Sequence, residues 1–234
     1  EGRLLASGGA DGDMRLWDLE RGGMVRSYHG HRGRIFNVAF SPDGDRLYSG
    51  GVDGVLRIWS THAHKLLSEF KVGDARIRRF VLYPSGRRMA VALNRGGAGI
   101  WQKKDNTWAF ERWQYRDKRI TNPGIAVAAN AGLFLATNRY AGTTLRDLHT
   151  GNTIRNLPGI WANGLAVSPD GKTVAMTLTK GRLEVRNSTD LALRHAVNLG
   201  MPGHNVAFAP NGETVWATGG DRTVRGYKTS DGFP

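Results

Sequence analysis

Short segments in which apolar and polar residues alternate recur along the whole chain. Between residues 31 and 72, four such segments occupy residues 35–40, 46–49, 55–59 and 65–70, separated by Gly, Asp, Pro or Ser. A period of two bounded by turn residues is typical of β-strands, because successive side chains of a strand point to opposite faces. The pattern predicts four short antiparallel strands, and hence one small sheet, in each stretch of about 40 residues.

The turn between the first two of these strands recurs along the chain. Residues 41–44 and 168–171 both read Ser-Pro-Asp-Gly, and weaker versions occur at residues 83–86, 130–132 and 209–212. The closing glycines are therefore 42, 46, 39 and 41 residues apart. A second marker keeps the same period, with equivalent positions at Trp17, Trp59, Trp101, Arg146, Arg186 and Tyr227. Together the two markers predict six repeats of one four-stranded unit.

A single sheet with two apolar faces is not stable in water, whereas a ring of such sheets covers every face. The period therefore predicts an all-β propeller of four-stranded antiparallel blades. We expect a single propeller region over residues 1–234, with blade portions at about 1–30, 31–72, 73–116, 117–157, 158–199 and 200–234. The first and last portions hold only three strands, so we expect a segment of a longer chain that is part of a seven-bladed ring. A naturally open half-ring is the alternative, and it would leave sheet edges unprotected.

Four polar residues of the second repeat resemble the structural tetrad of the WD40-repeat β-propeller family. In that family a histidine before the innermost strand, a serine on the second strand, an aspartate in the next turn and a tryptophan on the third strand hydrogen-bond one another. A linked network suits these groups, because a buried indole, imidazole and hydroxyl each need a partner. The equivalents here are His31, Ser49, Asp53 and Trp59, and the first repeat keeps the same spacing with Ser7, Asp11 and Trp17.

The later repeats depart from the tetrad pattern. Asp53 is matched by Arg95, Tyr140 and Lys180, Ser49 is matched by Val91, Ala136 and Met176, and the sixth repeat keeps only Asp221 and Tyr227. The resemblance thus covers the whole chain by its period and turns, but its polar signature covers only residues 1–70. It implies a non-catalytic platform that binds other proteins.

The charge balance narrows the choice of partners. The chain has 33 basic and 20 acidic residues, a net charge of +13, and such an excess attracts acidic proteins, nucleic acid or anionic membrane surfaces. It has no cysteine, which excludes disulfides and thiolate sites and leaves the compartment open, with the cytoplasm slightly favoured over an oxidising compartment. No apolar run approaches the ~18–20 residues of a membrane helix, so we predict no membrane insertion.

The sequence contains no motif that predicts catalysis. It has no His-Glu-x-x-His helix, phosphate-binding loop or Gly-x-Ser-x-Gly turn, so we predict no enzyme activity, cofactor or metal. Two pairs of histidines, His29 with His31 and His62 with His64, have the spacing of metal ligands on a strand. We favour the alternative, in which His31 belongs to the tetrad and the second pair lies in a solvated turn.

Basic residues concentrate between residues 75 and 104, where eight Lys or Arg residues occur without an acidic residue. Strand alternation predicts that Arg78 shares a face with Phe80 and Leu82, and that Arg79 points the other way. In propellers similar to this one, partners bind where the chain enters each innermost strand and where it approaches the tetrad aspartate. The candidates at these positions are Arg34, Phe36, Val52, Arg76, Arg78, Asn94, Arg139, Trp161, Asn163 and His204.

Arginine beside aromatic residues is the composition of interface hot spots, which favours a protein partner with acidic segments. In the alternative interpretation, the arginines solvate a rim and the aromatic rings pack between blades. Trp108, Trp113 and Tyr115, followed by Arg116, Lys118 and Arg119, form either a second contact or a rim that covers its own aromatic residues. Two further functions remain open: nucleic-acid binding through residues 75–104, and a propeller fused to an enzyme or cofactor-bearing domain.

Overall fold

The structure is a computed structural model that describes residues 2–95, 97–105, 107–115, 124–128, 131–138 and 142–232. These residues form 22 β-strands, and the chain divides into two compact units, Glu1–Arg119 and Ile120–Pro234. Each unit contains three antiparallel sheets, and within each sheet the strands lie side by side in the order in which they occur along the chain.

The first unit contains sheets 1, 2 and 3. Sheet 1 has three strands, β1 (Leu4–Gly8), β2 (Met14–Asp18) and β3 (Gly23–Tyr28). Sheet 2 has four strands, β4 (Ile35–Phe40), β5 (Arg46–Gly51), β6 (Val55–Ser60) and β7 (Leu66–Lys71). Sheet 3 also has four, β8 (Ile77–Leu82), β9 (Arg88–Leu93), β10 (Gly97–Lys104) and β11 (Thr107–Tyr115).

The second unit contains sheets 4, 5 and 6. Sheet 4 consists of β12 (Gly124–Ala128), β13 (Leu133–Asn138), β14 (Gly142–Asp147) and β15 (Thr153–Leu157). Sheet 5 consists of β16 (Ala162–Val167), β17 (Thr173–Leu178), β18 (Arg182–Asn187) and β19 (Leu193–Asn198). Sheet 6 has three strands, β20 (Gly203–Phe208), β21 (Thr214–Gly219) and β22 (Val224–Lys228).

The all-β class and the six antiparallel repeats predicted from the sequence are confirmed. Four sheets have four strands, and the first and last have three strands among the described residues. The described residues form six sheets, so the seven-bladed ring is not confirmed. Two strands are displaced slightly from their predicted bounds: β5 continues to Gly51, and β7 begins at Leu66.

The two Ser-Pro-Asp-Gly turns are held by the same hydrogen bonds. In the first, the Ser41 hydroxyl donates to Asp43 Oδ1 at 2.5 Å and accepts the Arg46 N–H at 2.9 Å. In the second, Ser168 makes the equivalent bonds, to Asp170 at 2.5 Å and from the Thr173 N–H at 2.9 Å. The turn sequence therefore joins the first two strands of a sheet through its own side chains.

The core of the first unit lies between neighbouring sheets. Met14, Leu16 and Tyr28 of sheet 1 are buried against Ile35, Leu47 and Trp59 of sheet 2. Sheets 2 and 3 enclose a second cluster that includes Leu56, Ile58, Ile77, Phe80 and Trp101. Close approach of the sheets requires glycine at Gly50, where a Cβ atom would lie 2.9 Å from Cγ2 of Ile77.

The second unit follows the same plan. Leu135 and Leu145 of sheet 4 are buried with Leu165 and Met176 of sheet 5. Sheets 5 and 6 enclose a cluster that includes Leu183, Val185, Val206, Val215 and Tyr227. Burial of apolar surface between sheets, at about 25 cal/mol per Å², is therefore the main stabilising contribution in both units.

The described part of the chain contains no helix that is both long enough and apolar enough to cross a membrane.

We predict that Leu47→Ala lowers the free energy of unfolding by about 2–5 kcal/mol, because the fully buried Leu47 side chain fills the space between sheets 1 and 2. The matched control is Leu67→Ala, since the Leu67 side chain is 44% exposed and its truncation opens no cavity. Urea unfolding followed by tryptophan fluorescence measures both variants. Equal effects of the two substitutions would contradict this packing.

Candidate functional site

Four polar side chains of sheet 2 form a hydrogen-bonded chain. The Trp59 indole N–H donates to the Ser49 hydroxyl oxygen at 2.8 Å, and Ser49 lies 2.8 Å from His31 Nε2. His31 Nδ1 lies 3.0 Å from Asp53 Oδ2. Arg57 Nη1 also lies 2.8 Å from His31 Nδ1, so the carboxylate and the guanidinium both contact this ring nitrogen. The chain ties the segment before β4 to strands β5 and β6 and to the turn between them.

The electrostatics of this network depend on two further charged residues. Arg57 Nη1 donates to Asp53 Oδ2 at 2.7 Å, and Arg57 Nε lies 2.9 Å from Glu69 Oε2. Burial raises the pKa of Asp53, but hydrogen bonds from Arg57 and His31 outweigh it and lower this pKa to about 2. Burial lowers the pKa of His31, and the bond to Asp53 does not offset that effect. The network therefore holds an ionised aspartate beside a neutral histidine.

Sheet 1 contains a shorter version of the network. The Trp17 indole N–H donates to the Ser7 hydroxyl at 2.9 Å. Asp11 accepts a bond from Arg15 Nη2 at 2.6 Å, and it also accepts the Asp13 N–H at 3.1 Å. These groups are more exposed than their equivalents in sheet 2.

The repeats without a tetrad use other contacts at the tryptophan position. In sheet 5, Arg186 occupies this position, and its Nε and Nη2 atoms both lie 2.8 Å from Glu184 Oε2. Arg186 Nη1 also donates to the Leu191 carbonyl at 2.6 Å, which closes the turn between β18 and β19. These buried groups therefore have a structural role.

The first strands of four sheets share a β-bulge at their second residue. The pairing register shifts between Ile35 and Asn37, between Ile77 and Arg79, and at the equivalent places in β16 and β20. A bulge redirects the side chain of the extra residue. The bulged residues are Phe36, Arg78, Asn163 and His204, all of them candidates from the sequence.

In the first unit the bulge brings two candidates into contact. The Arg78 guanidinium carbon lies 4.2 Å from the centroid of the Phe36 ring, in the geometry of a cation–π interaction. Arg34 and Arg76 are the residues immediately before β4 and β8, and both are exposed. Gly51 permits this arrangement, because a Cβ atom there would lie 2.2 Å from the Arg34 carbonyl oxygen.

Three arginines concentrate positive charge around this contact. Partial burial lowers the pKa of Arg78, and the charges of Arg34 and Arg76 lower it further. All three remain charged, since an arginine does not lose its proton in a protein. Among the described residues, none of the three forms an ion pair within 4.0 Å of a carboxylate. We call Arg34, Phe36, Arg76 and Arg78 the arginine cluster.

The face predicted for Arg78 is wrong. Strict alternation puts Arg78 with Phe80 and Leu82, yet Phe80 and Leu82 pack in the apolar cluster together with Ile77. The bulge after Ile77 shifts the phase of the strand, so Ile77 and Phe80 face the core although they are three residues apart. Arg78 is thereby free to lie on Phe36. Burial lowers the pKa of Arg79.

The remaining candidates lie in several places. Asn94 follows β9 in the first unit and its N–H donates to the Arg76 carbonyl at 2.9 Å, while Val52 donates in the same way to Arg34 at 3.0 Å. In the second unit, Asn163 Nδ2 donates to the Gly203 carbonyl at 2.7 Å, beside the exposed His204. Trp161 precedes β16 and is partly buried, and Arg139 lies outside the described residues.

Three aromatic residues of β11, Trp108, Phe110 and Trp113, contact other aromatic rings of the first unit. Trp108 is buried, stacks on Phe70 at a centroid distance of 6.4 Å and meets Tyr48 edge-on at 6.2 Å. Trp113 contacts Trp101 and Phe110 at 6.2 and 5.0 Å. Residues 116–123, which include Arg116, Lys118 and Arg119, lie outside the described part of the chain. Trp108 and Trp113 thus cover neighbouring aromatic rings.

The paired histidines bond to different partners. His29 Nδ1 lies 2.7 Å from Asp13, and His62 Nε2 lies 3.0 Å from Asp45. His64 Nδ1 lies 3.2 Å from the Tyr28 hydroxyl. No group of three or more His, Asp or Glu side chains in the described ranges is arranged to hold a metal ion.

Comparison with known proteins identifies the first two repeats by sequence. The family model WD40 (WD domain, G-beta repeat) matches residues 1–18 and 22–60. Over 43 residues, 18% of this chain, the sequence is 44% identical to the WD40 repeat-containing protein HOS15 of Arabidopsis thaliana, of which the match covers 7%. Over 45 residues, 19% of this chain, it is 47% identical to the guanine nucleotide-binding protein subunit beta of Oryza sativa subsp. indica, of which the match covers 12%. The chain therefore spans only a small part of these relatives.

A solved structure matches the whole chain in fold. The β-propeller domain of Cps50 (Swd1) from Myceliophteria thermophila superposes with a TM-score of 0.83 over 99% of this chain and 81% of that domain. The sequences are 19% identical, so this likeness concerns the fold.

We predict a two-step loss of stability on acidification. Below pH 6.5 the unfolded chain binds a proton at His31 more readily than the folded chain, so stability falls as the pH decreases. The Asp53 contribution, about 2 kcal/mol, is complete above pH 3.8 and is lost as the pH falls towards 2. Denaturant unfolding between pH 8 and 2 measures both steps. Asp53→Asn should reduce the lower step by about 2 kcal/mol, and the exposed control Asp45→Asn should leave its size unchanged; a lower step of unaltered size in Asp53→Asn would contradict the network.

Proposed function

We propose that this chain, which belongs to the WD40-repeat β-propeller family, is a non-catalytic module that binds an acidic protein segment through the arginine cluster. The observation that supports this proposal is the concentration of three arginines that form no ion pair with a carboxylate among the described residues, one of them 4.2 Å from the centroid of an aromatic ring. Like charges held together destabilise the free protein. A carboxylate-rich partner would remove that repulsion.

The geometry favours recognition of carboxylates. The Arg78 guanidinium carbon lies over the Phe36 ring, 4.2 Å from its centroid, so the aromatic contact restricts where the guanidinium can move. A guanidinium with a fixed plane loses little entropy when it forms two parallel bonds to one carboxylate. Arg34 and Arg76 would pair with neighbouring acidic residues of the same segment, and the Phe36 ring would bury apolar area at the centre of the contact.

The position agrees with the family to which the chain belongs. Phe36 and Arg78 occupy equivalent bulged positions of β4 and β8, and Arg34 and Arg76 precede those strands. We expect WD40 propellers to bind partners on the narrow face where the chain enters each innermost strand, called the top face, and we propose that this end of the sheets is that face. In the second unit, the equivalent places of sheets 5 and 6 are held by Trp161, Asn163 and His204, and we propose them as a candidate contact surface of that unit.

Nucleic-acid binding through residues 75–104 is the weaker candidate. Arg76 and Arg78 lie where β8 begins. Arg87, Arg88 and Lys103 lie at the other end of sheet 3, where β8 ends, β9 begins and β10 ends. Arg88 also pairs with Glu111 at 3.1 Å. Proteins that bind single-stranded nucleic acid have a continuous basic groove that runs along the phosphate backbone. These positions, at two ends of the sheet, do not form such a groove.

We predict that Arg76→Glu with Arg78→Glu weakens binding of an acidic peptide at least about tenfold, because two attractive charges become repulsive. The probe is a fluorescein-labelled peptide rich in glutamate and tyrosine, titrated by fluorescence anisotropy against full-length protein. Arg26→Glu is the matched control, since Arg26 is exposed on the outer strand β3 of the same unit. Equal affinities of the double variant and the control would refute the site.

We predict that Phe36→Leu weakens the same binding by about threefold without changing the net charge, because the guanidinium loses its aromatic support.

The dependence of affinity on salt concentration distinguishes this interface from a nucleic-acid site. Affinity for a single-stranded oligonucleotide should be weak and fall steeply as salt increases, whereas the peptide affinity should fall less steeply. Tighter binding of the oligonucleotide than of the peptide would favour the nucleic-acid function.

A further inference from the structure

A polar cleft lies in the first unit, at the opposite end of sheets 2 and 3 from the arginine cluster. Three segments line it: the turn between β4 and β5, the turn between β8 and β9, and the hairpin between β10 and β11. Its volume of about 530 Å³ is within the range of small-molecule sites, roughly 300–1,000 Å³. Most such sites are apolar, whereas this lining is mainly polar, so the cleft suits a charged ligand.

Three cations converge on the cleft, one from each segment. They are Arg46, Arg87 and Lys103, and none of them has an ion pair within 4.0 Å of a carboxylate in the described part of the chain. Arg87 and Lys103 belong to the basic stretch of residues 75–104 and are not part of the arginine cluster. This part of the basic stretch therefore lies in the cleft, apart from the arginine cluster.

Two carboxylates also line the cleft, and they differ in availability. Asp43 is occupied by its own turn, where it accepts bonds from the Ser41 hydroxyl at 2.5 Å and the Asp45 N–H at 3.1 Å. These bonds lower the pKa of Asp43 and keep it ionised. Asp105 is exposed in the hairpin after β10. The cations outnumber the carboxylates, and Asp105 opposes the binding of an anion.

Neutral polar residues also line the cleft. Tyr48 is buried, and its ring meets Trp108 edge-on at 6.2 Å. Burial raises the pKa of Tyr48, and a hydrogen bond with Arg46 acts in the opposite direction. Ser85 and Gln102 add a hydroxyl and an amide group.

The second unit contains a cleft at the equivalent turns that serves as an internal comparison. Its volume is about 280 Å³, and its lining includes Arg194, Asp170 and Glu213. Arg194 is already engaged, because Nε donates to Asn187 at 2.6 Å and Nη1 donates to Thr173 at 3.1 Å. The equivalent cleft of the second unit therefore has one cation, which is already hydrogen-bonded, and two acidic residues. Three cations are a property of the first cleft, not of the turn geometry.

We infer that the cleft formed by Arg46, Arg87 and Lys103 binds a small molecule that carries two phosphate groups. Cations from three directions match a ligand with anionic oxygens on several sides, and a single planar carboxylate would satisfy only one arginine. Ser85 and Gln102 would donate to the remaining oxygens. The site is independent of the arginine cluster, since the two lie at opposite ends of β4 and β8.

Calorimetric titration of the full chain with inorganic pyrophosphate tests this inference. Arg87→Gln with Lys103→Gln should weaken binding at least about tenfold, since two of three cations are lost. Asp105→Asn should tighten binding severalfold, because it removes a repulsive charge from an exposed position at little cost in stability. Damage to the fold would weaken binding, so tighter binding by Asp105→Asn would indicate a true binding site.

Two control variants define the location. Arg194→Gln in the equivalent cleft and Arg78→Glu in the arginine cluster should both leave pyrophosphate binding unchanged. A peptide with one phosphoserine, titrated in parallel, separates the two sources of phosphate, and weaker binding of the peptide is expected. The inference is overturned if pyrophosphate does not bind at millimolar concentration, if the Arg87 and Lys103 variant binds like the unaltered chain, or if the peptide binds more tightly.

Discussion

Each sheet of this chain has apolar side chains on both faces, and a face is stable only when another sheet covers it. The structure meets this constraint within each unit by interleaving side chains of neighbouring sheets, as Tyr28 of sheet 1 does when its ring meets Trp59 of sheet 2 edge-on at 5.5 Å. Other features follow from this packing. Glycine at Gly50 permits close approach of the sheets, and the Phe80 N–H donates across the same interface to Asn37 Oδ1 at 2.7 Å. Side chains at the sheet ends are held by the packed interior and are therefore positioned for binding.

The polar network of sheet 2 is one of several ways to anchor the third strand of a sheet. Trp59 reaches Asp53 through Ser49 and His31, whereas Arg186 in sheet 5 bonds directly to Glu184 and to the next turn. Both arrangements bury polar groups with their partners satisfied, which is the requirement imposed by the low-dielectric interior. They differ in their response to acid, because only the first contains a histidine. Loss of the tetrad sequence in later repeats therefore does not mean loss of the sheet.

The sequence predicted the repeats well because turns and alternation are local properties. Residues 41–44 form their turn through bonds within six residues, so the pattern at Ser41 is sufficient to place the first two strands. The four polar residues of sheet 2 were identifiable because their spacing is fixed along the strands. The contact between Arg78 and Phe36 was not predictable in detail, since it depends on a bulge that adds one residue and reverses the alternation. The cleft at Arg46 also escaped prediction, because three segments distant in sequence build it.

Strand geometry also determines what the basic charge of the first unit can do. A strand of six residues spans roughly 20 Å, about two Debye lengths at physiological salt, so charges at its two ends are screened from each other. Arg78 near the start of β8 and Arg87 beyond its end therefore belong to separate local fields, although they are only nine positions apart in the sequence. Net charge alone suggests one extended basic surface. The structure instead divides the charge between the arginine cluster, which includes Phe36, and a polar cleft that is lined in part by Tyr48. Each group of cations therefore offers a different geometry to an anion.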